Sequence, residues 1–311
     1  MQSRDAAQRS RKCMNQIPLP DSARAEHPEA DEVRDDKTRQ IAPDVAYRQI
    51  AIVNVIFFGP PGAGDGQWVL IDAGVTGSAS AIRSAAQARF GQTGRPSAIV
   101  LTHGHFDHVG SLETLAAEWD VPVYAHRLEH PYLDGTTSYP PADPGVGGGL
   151  MALLSPFYPT SPIDVSPRLQ ALPDDHSIPG MPGWHWLHTP GHSPGHVSLW
   201  RNADRLLIAG AAFVTTKQES VYAAVTQAPE MHGPPMYFTP DWPSARQSVL
   251  DLAALGPETV VTGHGQAMQG AAMRSALTHL AERFEDIAVP KTRPLCAVTG
   301  AGGSSYADWQ T

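Results

Sequence analysis

The stretch Thr102-His103-Gly104-His105-Phe106-Asp107-His108 constrains this chain more than any other. It places three imidazoles and a carboxylate between positions 103 and 108. It follows the apolar run Ala98-Ile99-Val100-Leu101, which reads as a buried strand. It precedes 109–119, where apolar residues recur at helical spacing. A tight strand-to-helix loop lets side chains converge on one point. Imidazole and carboxylate together suit zinc and similar borderline metals. A lone histidine would read as a polar loop residue, but four potential ligands on one short loop read as a metal site.

The rest of the composition narrows how that metal is held. The chain has 311 residues, 41% hydrophobic and 17% charged, which is ordinary for a globular protein with a sizeable core. It has 14 His but only 2 Cys, Cys13 and Cys296, which lie near opposite ends. A disulfide framework and a thiolate zinc site are therefore not expected. The net charge of -9 argues against a nucleic-acid surface, which needs a basic stripe. Residues 1–12 lack the apolar core of a secretory signal, and 51–58, interrupted by Asn54, is too short to span a bilayer. The expectation is a cytoplasmic protein with no membrane and no nucleic-acid partner. A small-molecule substrate is expected, and a homodimer is left open.

Taken in order, residues 1–40 are charged and without hydrophobic period, and are expected to be disordered or loosely attached. Positions 47–58 read as one or two strands, and 67–72 as the next, joined by the glycine-rich turn 59–66. Asp72 leaves that strand, either as a turn cap or as support for the metal loop. A helix is expected over 78–90 and a strand over 121–126. This alternation argues for helices packed on sheet faces. Residues 128–165 form a long segment with a short helix near 150–154; its aromatics suit either a lid over an apolar substrate or a packing arm. Strands follow over 184–188, 197–201, 205–210 and 259–262. Helices follow over 244–255, capped by Ser244 or Asp241, and over 271–287. The main domain is set at 41–295, and the Gly/Ser-rich tail 296–311 is expected to be flexible.

Several His and Asp residues thus fall at the ends of predicted strands. The series Asp72, His103-Gly104-His105-Phe106-Asp107-His108, Thr189-Pro190-Gly191-His192-Ser193-Pro194-Gly195-His196 and Gly263-His264-Gly265 resembles the metallo-β-lactamase superfamily of metallohydrolases, over about residues 45 to 290. The resemblance implies an α/β fold, a four-layer αββα sandwich with a dinuclear site at one edge. It implies one metal held by His103, His105 and His192 and a second by Asp107, His108 and His264. The two divalent ions are expected to be zinc, with manganese, iron or cobalt as substitutes. His196 resembles a supporting histidine of the family's PGH element, or else packs as an ordinary strand residue.

The sequence departs from the family in one place. Many members carry a bridging Asp after the strand that ends in Gly, whereas here Gly210 is followed by Ala211. Three states are compatible with Ala211: a site bridged by hydroxide alone, a weakened second metal site, or an inactivated form. If the site is active, the resemblance implies attack by a metal-bound hydroxide, whose pKa is lowered toward ~7, on a polarised carbonyl. Asp107 would then pass a proton to the leaving group. Carboxylic ester or lactone hydrolysis is the first expectation, because Tyr222, Tyr237, Phe157 and neighbouring aromatics would suit an apolar acyl group. A β-lactamase-type amide hydrolase and a glyoxalase II-type thioesterase are the alternatives. A degenerate, non-catalytic relative is the reading from another class.

Overall fold

The computed structural model describes residues 17–25, 37–146, 153–216 and 228–290. Strand β1 (Ile17–Pro18) precedes the meander β2 (Arg39–Ala42), β3 (Val45–Ile50) and β4 (Val53–Phe58). Strand β5 (Val69–Ile71), helix α1 (Ala79–Phe90) and strand β6 (Ala98–Val100) then form a parallel unit. The short helix α2 (Phe106–Val109), helix α3 (Leu112–Trp119), strand β7 (Val123–Ala125), helix α4 (His130–Leu133) and strand β8 (Leu169–Ala171) complete the first half. The second half holds β9 (Trp184–His188), β10 (Val197–Arg201), β11 (Leu206–Gly210), β12 (Glu230–Met231), α5 (Trp242–Ala254), β13 (Thr259–Thr262), β14 (Met268–Gln269), α6 (Gly270–Glu282) and α7 (Phe284–Ile287).

Two sheets result, one of seven strands in the order β2-β3-β4-β5-β6-β7-β8 and one of five in the order β14-β13-β11-β10-β9. Period-two alternation explains how they stack. In β4, Val55 and Phe57 face Ile82, Phe90 and Leu115 of the helices, whereas Ile56 and Phe58 face the other sheet. In β11, Leu207 and Ala209 face Val249 and Leu277 of α5 and α6, whereas Leu206 and Ile208 face the first sheet. Each sheet is therefore apolar on both faces, and the layers run α, β, β, α. Each fully buried Leu, Ile or Phe in such a layer contributes about 1.5–3 kcal/mol.

Strand direction then determines where functional side chains gather. Strands β5, β6 and β7 run parallel, and so do β11 and β13. Strand β9 is antiparallel to β10, which is antiparallel to β11, so β9 points the same way as β11. The carboxyl ends of β5, β6, β7, β9, β11 and β13 thus open at one edge of the sandwich, with the amino end of β10 beside them. Residues 72, 102–108, 189–196, 211 and 263–265 follow them directly.

Two boundaries differ from the sequence expectation. Part of the segment expected to be loose is docked: β1 pairs with β12, and Leu19 and Ala23 are buried in the layer under α5 and α6. Apolar side chains isolated in a polar stretch carried too little periodicity to reveal this. The helix expected over 271–287 breaks at Arg283, whose φ of -118° and ψ of 28° leave the α region. The short helix expected near 150–154 falls mostly on residues outside the described set, as does the tail 296–311. Among the described residues no helix is long and apolar enough to cross a membrane.

Candidate metal centre

The loop after β6 begins at Thr102, whose N–H and Oγ1–H both donate to Asp72, at 2.8 Å each. Asp72 sits at the end of the neighbouring strand with a left-handed φ of 61°, a conformation that costs a non-glycine residue about 1–2 kcal/mol. Its carboxylate uses that position to serve two histidines. His108 Nδ1–H donates to Asp72 Oδ2 at 2.7 Å. His103 Nδ1–H donates to Thr102 Oγ1 at 3.0 Å, which relays to the same oxygen. With Nδ1 spent as a donor, each ring presents a bare Nε2 lone pair.

Those two Nε2 atoms are buried and have no hydrogen-bond partner. An orphaned buried polar atom needs a reason, and a metal ion supplies one here. The other rings are set in the same manner. His264 Nδ1–H donates to the carbonyl of Ile52 at 2.8 Å, and its Nε2 lies 3.5 Å from Asp107. His192 Nδ1–H donates to Thr239 Oγ1 at 3.1 Å, and its Nε2 faces His105 Nδ1 at 2.9 Å. Two ligand groups emerge, His103 with His105 and His192, and Asp107 with His108 and His264; the candidate ligand atoms of each lie within 4.8 Å of one another. The residues present therefore fit two divalent ions with nitrogen-rich, borderline donor sets.

Electrostatics separates the two groups. Burial, followed by the neighbouring imidazoles, pushes His103 and His192 well below the ordinary imidazole range. Burial takes His105 down to about 3. These rings stay neutral and ready to coordinate. In the second group burial lowers His108, but Asp72 and Asp107 outweigh it, and the net shift is upward. Burial would raise Asp107, yet His108, His264 and His105 hold it below the ordinary carboxylate range.

His196 lies in neither ligand group. Its Nδ1 contacts the carbonyl of Thr189 at 3.1 Å, and its Nε2 accepts the N–H of Ala211 at 2.9 Å. It therefore supports the backbone at the position where the family's bridging carboxylate would stand. Gly210 just before it has a φ of 56°, and a Cβ there would lie 2.5 Å from His196 Nε2. Ala211 itself is fully buried.

A cavity of about 350 Å³ opens on His105 and His192. Tyr139, Val146, Met236, Tyr237, Phe238 and Trp242 give it an apolar wall, and Asp143 adds a carboxylate. Tyr237, singled out from the sequence as a candidate substrate contact, lines this cavity. Phe157 does not line this cavity and is 83% exposed. In the turn Ser155–Phe157 it is Ser155 that is buried. Tyr222 lies outside the described residues.

Two buried residues had no motif to announce them. Asn54 donates through Nδ2 to the carbonyls of Thr262 at 2.9 Å and Gly265 at 2.6 Å, which brackets His264. Its signal was a single amide inside an apolar run. Glu129, just beyond β7, accepts from Gly104, Ser193, Gly195 and Tyr139. Its signal was only its place at the same sheet edge as Asp72.

Fold and site together define a protein built to hold two metal ions at the edge of an αββα sandwich. Residues 50–264 match the family model described as the metallo-beta-lactamase superfamily. The chain belongs to that superfamily, as a metallo-hydrolase. It is 49% identical over 238 residues to a probable metallo-hydrolase, YflN, of Bacillus subtilis (strain 168), covering 76% of this chain and 90% of that one. A hydroxyacylglutathione hydrolase of Bdellovibrio bacteriovorus is 26% identical over 114 residues, 37% of this chain and 33% of that one. Among solved structures, a beta-lactamase domain protein from Burkholderia ambifaria superposes with a TM-score of 0.55 at 21% identity, covering 84% of this chain and 79% of that one.

Proposed function

We propose that the chain hydrolyses a carboxylic ester or lactone with an uncharged acyl group, using two divalent ions, zinc foremost. The observation that carries this reading is the cavity opening on His105 and His192 with the aromatic wall of Tyr139, Tyr237 and Phe238. Bound at the two ligand groups, such ions supply an activated water and polarise the scissile carbonyl. The chain's own residues do the rest. Neutral His103, His105 and His192 would hold an ion there without adding negative charge, so that it would keep its charge for polarising a carbonyl. Asp107, held as a carboxylate, would take a proton and return it to the leaving oxygen. Tyr139, Tyr237 and Phe238 would offer apolar surface to the acyl chain.

The amide and thioester alternatives differ in charge. β-Lactams and glutathione thioesters carry carboxylates, and Asp143 on the cavity wall would repel them. The likeness to a hydroxyacylglutathione hydrolase keeps the thioester as second reading. A panel of neutral esters and lactones, a cephalosporin and a glutathione thioester, assayed with zinc or manganese, tests the choice. Turnover of the neutral substrates at least about tenfold faster, in kcat/KM, supports the ester reading. Preference for the thioester or cephalosporin overturns it.

A further inference from the structure

The first ligand group is drawn from two loops that come from different sheets. His103 and His105 follow β6 of the seven-stranded sheet, and His192 follows β9 of the five-stranded sheet. The two loops meet directly at one backbone bond, where the Val197 N–H donates to the Thr102 carbonyl at 2.9 Å. Glu129 touches both. Its Oε2 accepts the N–H of Gly104, the residue between the two ligands, at 2.9 Å. Its Oε1 accepts the Ser193 hydroxyl at 2.8 Å and the Gly195 N–H at 2.7 Å, one and three residues beyond His192. The Tyr139 hydroxyl also donates to Oε2. The carboxylate is fully buried.

The loops are shaped for this contact. A Cβ on Gly195 would lie 2.8 Å from Glu129 Cγ and 2.9 Å from its backbone nitrogen. A Cβ on Gly104 would lie 2.7 Å from the Tyr139 hydroxyl and 3.4 Å from Glu129 Oε2. Both glycines are required by close approach to the same carboxylate and its partner. The second group is tethered elsewhere: His108 to Asp72, and His264 to Ile52 with Asn54 alongside.

We propose that Glu129 is a positioning residue selective for the first ligand group, clamping the His103–His105 loop and the His192 loop at one spacing. It acts through backbone and hydroxyl donors and touches none of the six ligand side chains by hydrogen bond. All four contacts bring hydrogens to its two oxygens. A hydroxyl can reverse and accept, but a backbone N–H cannot. An amide NH2 in place of Oε1 leaves the Gly195 N–H without an acceptor, and in place of Oε2 it leaves the Gly104 N–H only the Tyr139 hydroxyl, 3.0 Å away. The carboxylate accepts from both loops at once.

The inference rests on the two groups holding metal ions, and the test separates the two ideas. Cobalt(II) is titrated, by its visible absorption, into full-length His264→Ala, which keeps the first group intact, and into His192→Ala, which keeps the second. Absence of cobalt binding by both parents sinks the metal reading and the inference with it. Where they bind, Glu129→Gln is expected to weaken cobalt about 10–100-fold in the His264→Ala background and to leave it within about twofold in the His192→Ala background. Equal loss in both backgrounds, as a general structural defect would give, overturns the proposal, and so does no loss in the first. Ser193→Ala, which keeps both backbone bonds, carries the same test if Glu129→Gln does not fold: a loss of about threefold or more confined to the first group supports the clamp, and any other pattern overturns it.

Discussion

At the scale of single residues, the two ligand groups differ in how they hold protons. His103, His105 and His192 are pushed down by burial, so protons do not compete with a metal there until the pH is far below neutral. His108 is shifted the other way, because Asp72 and Asp107 outweigh the burial that lowers it. A raised pKa means His108 is already protonated where an ordinary histidine begins to titrate, and a metal must displace that proton. Acidification from neutral pH to about 5 is therefore expected to release the second ion first and keep the first bound. Metal counting by plasma mass spectrometry after gel filtration at each pH checks this; simultaneous loss of both ions contradicts it. The residues in this contrast were legible as ligands from the loop 103–108 and from the isolated His192 and His264. The acidic residues that brace their loops were less so. Asp72 stood out as an Asp leaving an apolar strand, but Glu129 was one acidic residue among many, since nothing local marks an acceptor whose donors lie at 104 and 193–195.

At the scale of elements, the end of β11 is where this chain lacks the carboxylate that the family resemblance led one to expect. The strand runs Leu206–Gly210 and delivers Ala211, fully buried, with its N–H held by His196. Two divalent ions close together repel, and an anionic bridge offsets that repulsion. Ala211 supplies none, so the second ion is expected to bind more weakly than the first. Ala211→Asp is expected to raise the metal retained after dialysis toward two ions per chain, read by mass spectrometry, with the wild type retaining fewer. Two tightly held ions in the wild type would show instead that the bridge is not needed. Most elements were legible because their periods are strong: β9, β10 and β13 fall where the alternation put them, and Asp241 caps α5 by accepting the Ser244 N–H at 3.1 Å. The docked β1 and the break at Arg283 were not, because both depend on contacts with distant chain.

At the scale of the whole molecule, the metal centre joins the two halves of the sandwich. His103, His105, Asp107 and His108 come from the seven-stranded sheet, and His192 and His264 from the five-stranded one. Ions bound across that edge stabilise the native state by about 4 kcal/mol when present at a thousand times their Kd. Chelation is therefore expected to lower the Tm by roughly ten degrees, restored by added zinc, and calorimetry with and without chelator measures it. An unchanged Tm would mean that the sheets are held by their apolar interface alone. The sequence by itself determined the ligand types, their order, the strand and helix periods and the missing carboxylate, because each is written in residues close along the chain. Only the tertiary structure decided which loops meet, that Glu129 and Asn54 brace them, and that Phe157 faces solvent while Tyr237 faces the cavity. Those outcomes depend on two sheets packing face to face, which brings together residues up to about two hundred positions apart in sequence, such as Asn54 and Thr262.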